Sequence, residues 1–105
     1  MMQKQSAWSV YVLKLSNKIV GFIAVKIDTE NLVGEIGLNA IHPYYAGNGY
    51  GSEMYRFAIK EMKIKGMKVA TVATGGDPSH APARKAYEKS GFNIQIPSVW
   101  YCKEL

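Results

Sequence analysis

Gly47, Gly49 and Gly51 alternate with Asn48 and Tyr50 where an extended apolar run gives way to a helical one. Lacking Cβ atoms, the glycines let the backbone approach a ligand closely and turn several N–H groups toward it. At the positive end of a helix dipole this arrangement suits a phosphate or pyrophosphate, although an ordinary glycine turn has the same composition. No Gly-Lys-Ser/Thr follows, which excludes a Walker A loop. The Gly-x-Gly-x-Gly spacing and a single clear βαβ unit disfavour a dinucleotide fold.

Other residues could also carry chemistry. On the run Leu32–Ile41, alternation predicts Glu35, Gly37, Asn39 and Ile41 on one face and Ile36, Leu38 and Ala40 on the other. If the second face is core, Glu35 points into a cleft. Asp77, Ser79 and His80 have the residue types of a hydrolase triad, but a triad normally joins segments distant in sequence, so that reading is set aside. His42, beside Pro43, reads as structural, and Cys102, two residues after Trp100, as packing.

These residues need elements to position them. Trp8–Leu15 and Ile19–Ile27, joined at Ser16-Asn17-Lys18, read as a β-hairpin, and Leu32–Ile41 as a third strand that stops at His42-Pro43. After Gly51, Met54, Phe57, Ala58 and Met62 recur on one helical face, and Gly66 ends that helix. Lys68–Thr74 reads as a buried parallel strand reached by a crossover helix. Ser79 is placed to cap a second helix with Pro82 in its first turn, Ala83, Ala86 and Tyr87 on one face, and Gly91 past its end. Phe92–Ile96 and Val99–Lys103 read as two closing strands. The order is β-β-β-α-β-α-β-β, an α/β (α+β) mixed sheet around a central parallel βαβ unit, in one domain over residues 1–105.

Composition narrows the class. Hydrophobic residues make up 48% and charged residues 20% of the 105, a globular balance. The start, Met1-Met2-Gln3-Lys4-Gln5-Ser6, lacks a signal-peptide core and no apolar run reaches bilayer length, so the expected location is cytoplasmic with no membrane partner. One cysteine excludes an intramolecular disulfide, and with two histidines leaves no expected metal site. The formal charge of +5 favours anionic partners in general. Lys60, Lys63, Lys65 and Lys68 read as a solvated helix face without any nucleic-acid motif, so no nucleic-acid partner is expected. A pyrophosphate carrier held by main-chain donors remains, and coenzyme A is one that suits so small a fold.

From about Glu35 to Phe92 the chain resembles the GNAT acetyltransferases. Their cofactor motif, Gln/Arg-x-x-Gly-x-Gly/Ala, falls on Ala46-Gly47-Asn48-Gly49-Tyr50-Gly51, behind Asn39-Ala40-Ile41-His42-Pro43. Ala83-Arg84-Lys85-Ala86-Tyr87-Glu88-Lys89-Ser90-Gly91-Phe92 is similar to the family's helix ending Tyr-Glu-Lys-x-Gly-Phe. The resemblance implies a GNAT-like fold and an acetyl-CoA-dependent N-acetyltransferase acting on a small-molecule or peptide amine. It assigns Ala46, Gly47, Asn48, Gly49, Tyr50, Gly51 and Ser52 to the cofactor's phosphates, Asn39 and Ile41 to its pantetheine arm as an added strand, and His80 and Ala83 to further cofactor contacts. One N–H of that strand would polarise the thioester carbonyl.

An alkyl amine is protonated near neutral pH, and freeing its lone pair costs about 4–5 kcal/mol. The resemblance, through Glu35-Ile-x-x-x-Ala40-Ile41, makes Glu35 the general base acting through water, and Tyr87 the general acid for the departing thiolate. Two departures bear on binding: Ala46 stands where the family usually has Gln or Arg, and His80 where many members have Asn. A third concerns the acceptor. Family members usually begin with a strand and two helices that wall its pocket, whereas this chain starts with the hairpin. Either a second copy completes the pocket, the groove is open to a large acceptor, or the chain is a CoA-binding module without turnover. Uncovered strand edges and apolar surface favour a homodimer.

Overall fold

The computed structural model describes residues 8–74, 76 and 78–105. β1 (Trp8–Leu15) and β2 (Lys18–Asp28) form the expected hairpin, with Ser16 left-handed at φ 56° in the tight turn. β3 (Val33–Ile41) follows a turn tied by Asp28, whose Oδ1 accepts from the Glu30 and Asn31 N–H groups at 3.0 and 3.1 Å. β3 stops before Pro43, which opens a single 3-10 turn over Pro43–Tyr45 capped by the His42 ring, whose Nδ1 accepts from the Tyr44 N–H. α1 (Tyr50–Ile64) crosses over to β4 (Val69–Val72), which lies parallel to β3. The sheet order is β1-β2-β3-β4.

α1 and α2 (Ala81–Lys89) end alike. Past α1, Gly66 is left-handed at φ 83°, its N–H reaches the Lys63 carbonyl, and the Met67 N–H reaches that of Met62. Past α2, Gly91, Phe92, Glu88 and Tyr87 repeat the arrangement. Each is a Schellman close, which satisfies otherwise orphaned carbonyls and folds the next apolar residue back onto the helix. Met67 and Phe92 thereby join the core.

That core lies on one face of the sheet, where Ile23, Val25 and Ile36 meet Met54, Tyr55, Ala58, Met62, Met67 and Tyr87. Gly34 lets α1 settle close, since a Cβ there would stand 2.6 Å from Met62. The buried stripe of α1 differs from the expected one: Tyr55 takes the place of Phe57, which is 41% exposed and stacks edge-on to Tyr11. The sheet's other face carries Trp8, Val10, Val12 and Phe22, with no helix over them among the described residues.

Three further expectations are corrected. Ser79 does not cap α2: Pro78 starts a 3-10 turn through His80, so His80 takes the N-cap position and Ser79 Oγ lies 3.3 Å from its ring Nδ1. The parallel strand ends at Val72 rather than Thr74, because β3 bends away opposite it. The closing strands Phe92–Ile96 and Val99–Lys103 are not formed. Phe92 packs on the core, but 93–105 take up no regular structure, and Ile94, Ile96, Val99, Trp100 and Tyr101 are exposed. Their alternation supplies strand propensity without a strand to pair with, and propensity alone does not hold a strand.

Candidate functional site

The glycine loop owes its shape to backbone conformation rather than packing. Gly47 and Gly49 sit at φ 81° and 83°, and nothing lies within 4 Å of a Cβ built at either. Gly49 is the N-cap of α1, so Gly51 and Ser52 fall in the first turn. The first intrahelical bond runs from the Glu53 N–H to the Gly49 carbonyl, which leaves the N–H groups of Tyr50, Gly51 and Ser52 without helical acceptors. Asn48 steadies the approach by donating Nδ2 to the Tyr45 carbonyl at 3.0 Å. Ala46 is exposed at the start of the loop and brings no polar side chain.

Beside that helix end, the sheet opens. Val25 pairs with Ile36 but Ile23 with Asn39, so Gly37 and Leu38 together oppose Ala24 in a β-bulge. Pairing to β4 runs from Val33↔Val69 to Ile36↔Val72 and goes no further. From Gly37 to Ile41 the edge of β3 that would continue toward β4 has no strand partner among the described residues, which leaves a notch lined by main chain. Asn39 and Ile41 are both in it.

The bulge also overturns the expected alternation. Asn39 and Ile41 lie on the α1 face with Ile36: the Tyr55 hydroxyl donates to Asn39 Oδ1 at 2.9 Å, and Ile41 packs against the core. Glu35 and Gly37 lie on the other face. Glu35 pairs in register with Lys26, which pairs with Trp8, and a Cβ on Gly37 would stand 2.5 Å from the Trp8 ring. Glu35 is half-buried there, with Lys26 Nζ 5.5 Å from the Trp8 ring centre.

Tyr87 arrives from α2 on the α1 side. It is 8% exposed, with its ring 4.8 Å from that of Tyr55 and 6.1 Å from that of Phe92. Burial above all, then the neighbouring Tyr87, pushes the Tyr55 phenol well above its ordinary pKa, so it stays a donor. The site residues thus come as two groups: Asn39, Ile41 and Tyr87 on the helix side of the notch, and Glu35 on the other. His80 is exposed at the start of α2, and Ala83, a turn later, packs on the core.

Tyr55 is the functional candidate that sequence reading missed. Its signal was its place beside Met54 and three residues before Ala58, on the edge of the apolar stripe. Asp77, of the discarded triad, lies outside the described residues, as does the start Met1–Ser6. Cys102 is exposed rather than packed. Among the described residues no cluster of His, Cys, Asp or Glu could hold a metal ion, and no helix is long and apolar enough to cross a membrane.

Known proteins share this arrangement. An acetyltransferase from Bacillus subtilis, solved in complex with CoA, is 21% identical at a TM-score of 0.77, over 85% of this chain and 57% of its own. An IAA acetyltransferase from Bacillus cereus is 27% identical at 0.76, over the same shares of 85% and 57%. The ribosomal-protein-S18-alanine N-acetyltransferase of Escherichia coli is 20% identical at 0.75, over 85% and 55%. The chain therefore spans somewhat over half the length of these relatives. No curated protein sequence matches it. The model of the Acetyltransferase (GNAT) family matches residues 1–92, through both helices and the glycine loop, and the chain belongs to that family.

Proposed function

We propose that the chain is an N-acetyltransferase, one domain over residues 1–105, that moves the acetyl group of acetyl-CoA to a primary amine. The carrying observation is the notch: β3 bulges at Gly37-Leu38 and parts from β4 beyond Ile36, beside a glycine-capped helix end. A pantetheine arm laid along Gly37–Ile41 would pair as an added strand, its diphosphate meeting the N–H groups of Gly47 to Ser52. Family membership supports this, as does the Bacillus subtilis relative solved with CoA. His80 and Ala83 extend the same wall from α2.

The chemistry follows from the two sides of the notch. Acetyl-CoA supplies an activated acyl group as a thioester. The amine nitrogen attacks the carbonyl carbon, a C–N bond forms and the C–S bond breaks. Glu35, on the open face of the sheet, takes the amine proton through water. A β3 N–H stabilises the oxygen as charge develops, and Tyr87 gives its proton to the leaving sulfur. The acceptor enters beside Glu35, at the β3–β4 end of the sheet face whose β1–β2 end carries Trp8, Val10, Val12 and Phe22. That β1–β2 end is apolar and has no helix over it among the described residues, which supports a homodimer through it that leaves Glu35 reachable, and the sole thiol, Cys102, suits a reducing cytoplasm.

Thiol release from acetyl-CoA across a panel of small amines and N-terminal peptides tests the reading. We expect turnover with at least one acceptor, a loss of about 10²–10⁴-fold in Tyr87→Phe, and a smaller loss in Glu35→Gln that eases as pH rises. Turnover unaffected by either change would sink the mechanism. A second reading, a CoA-binding module without turnover, is favoured by Ala46, which offers the diphosphate no side-chain donor. It predicts stabilisation by CoA with no thiol released.

A further inference from the structure

The β3 bulge is locked from below. Gly37 is one of its two extra residues, and its carbonyl accepts from Asn39 Nδ2 at 3.0 Å. The same Asn39 side chain takes the Tyr55 hydroxyl on its Oδ1 at 2.9 Å. An amide carrying both bonds cannot turn over without breaking both. Tyr55 itself is 6% exposed on the buried side of α1, and its ring lies 4.8 Å from that of Tyr87. A single buried residue therefore touches both the bulged part of β3, through a hydrogen bond, and Tyr87 of α2, through a ring contact.

We infer that Tyr55 is a positioning residue, whose hydroxyl fixes the Asn39–Gly37 bulge while its ring sets where Tyr87 stands on the same side of the sheet. Its consequence in turnover rests on the acetyl-transfer reading; its geometry does not. A buried phenol in an apolar stripe requires a partner, and this one is paired to a strand that needs holding open. An aliphatic residue would fill the same volume without engaging Asn39. Because the bond is made before any ligand arrives, its loss should act on the alignment of the reacting groups more than on affinity for the carrier.

Tyr55→Phe keeps the ring and removes the bond. We expect kcat to fall about tenfold while KM for acetyl-CoA stays within about twofold. Asn39→Ala breaks the same link from the other side, so the double variant should be no slower than the worse single one. Tyr55→Leu, which also removes the ring against Tyr87, should be slower than Tyr55→Phe. Unchanged kcat in Tyr55→Phe, a loss confined to KM, or losses that simply add in the double variant would each overturn the inference. If the unaltered chain releases no thiol with any amine, the acetyl-transfer reading fails separately, and hydrogen exchange still decides the lock. Amides from Gly37 to Ala40 should then exchange faster in Tyr55→Phe than in the unaltered chain, and equal rates would refute it.

Discussion

Gly49 shows how a single backbone angle can shape the site proposed for the diphosphate. At φ 83°, with open space where a side chain would be, it pays only the left-handed penalty on substitution. Gly49→Ala should cost about 1–2 kcal/mol, a drop of roughly 5–15 °C in melting temperature. It should also abolish most of the stabilisation that CoA confers on the unaltered chain, which thermal melts with and without CoA will show. This much was legible in the sequence, because a glycine between a strand and a helix announces its own conformation. Tyr55 was not, because tyrosine in an amphipathic stripe looks like bulk, and only the partner opposite reveals that its hydroxyl is in use.

Among the elements, β3 shows where pattern reading stops. Strict alternation placed Glu35 and Asn39 on the same face; the bulge puts them on opposite faces, since one extra residue reverses every side chain beyond it. Gly37 is a residue type that bulges favour, but Gly34 on the same strand pairs regularly, so the bulge's position depends on the register against Ala24. The two helix ends, by contrast, were placed by Gly66 and Gly91. The turn before β3 offers an element-scale test. Asp28 accepts from Asn31 Nδ2 and from two backbone N–H groups, and the Asn31 bonds above all hold its carboxyl below the ordinary pKa. A lowered folded value means stability that is fully present above the unfolded pKa of about 4 and is lost as pH falls through the folded one. Asp28→Ala should therefore melt earlier than the unaltered chain at neutral pH, by a margin that narrows as the pH falls through the acid range; a margin independent of pH would show that the carboxylate is not the stabilising group.

For the whole molecule, the governing fact is that, among the described residues, one side of the sheet is covered by helices and the other is not. Trp8, Val10, Val12 and Phe22 make a continuous apolar surface across β1 and β2, and such a surface is seldom left in water. Sedimentation should find a dimer, and Val10→Lys, which puts a charge at the centre of that surface, should yield monomers that still bind CoA. A monomer at all concentrations would dismiss the dimer. The tail adds a different consequence. Trp100 is 91% exposed, and every residue assigned to the notch, the glycine loop or its helices precedes Phe92. Proteolytic nicking at Trp100 would thus leave every one of those residues in place, so cleavage there and loss of CoA binding should prove to be separable events.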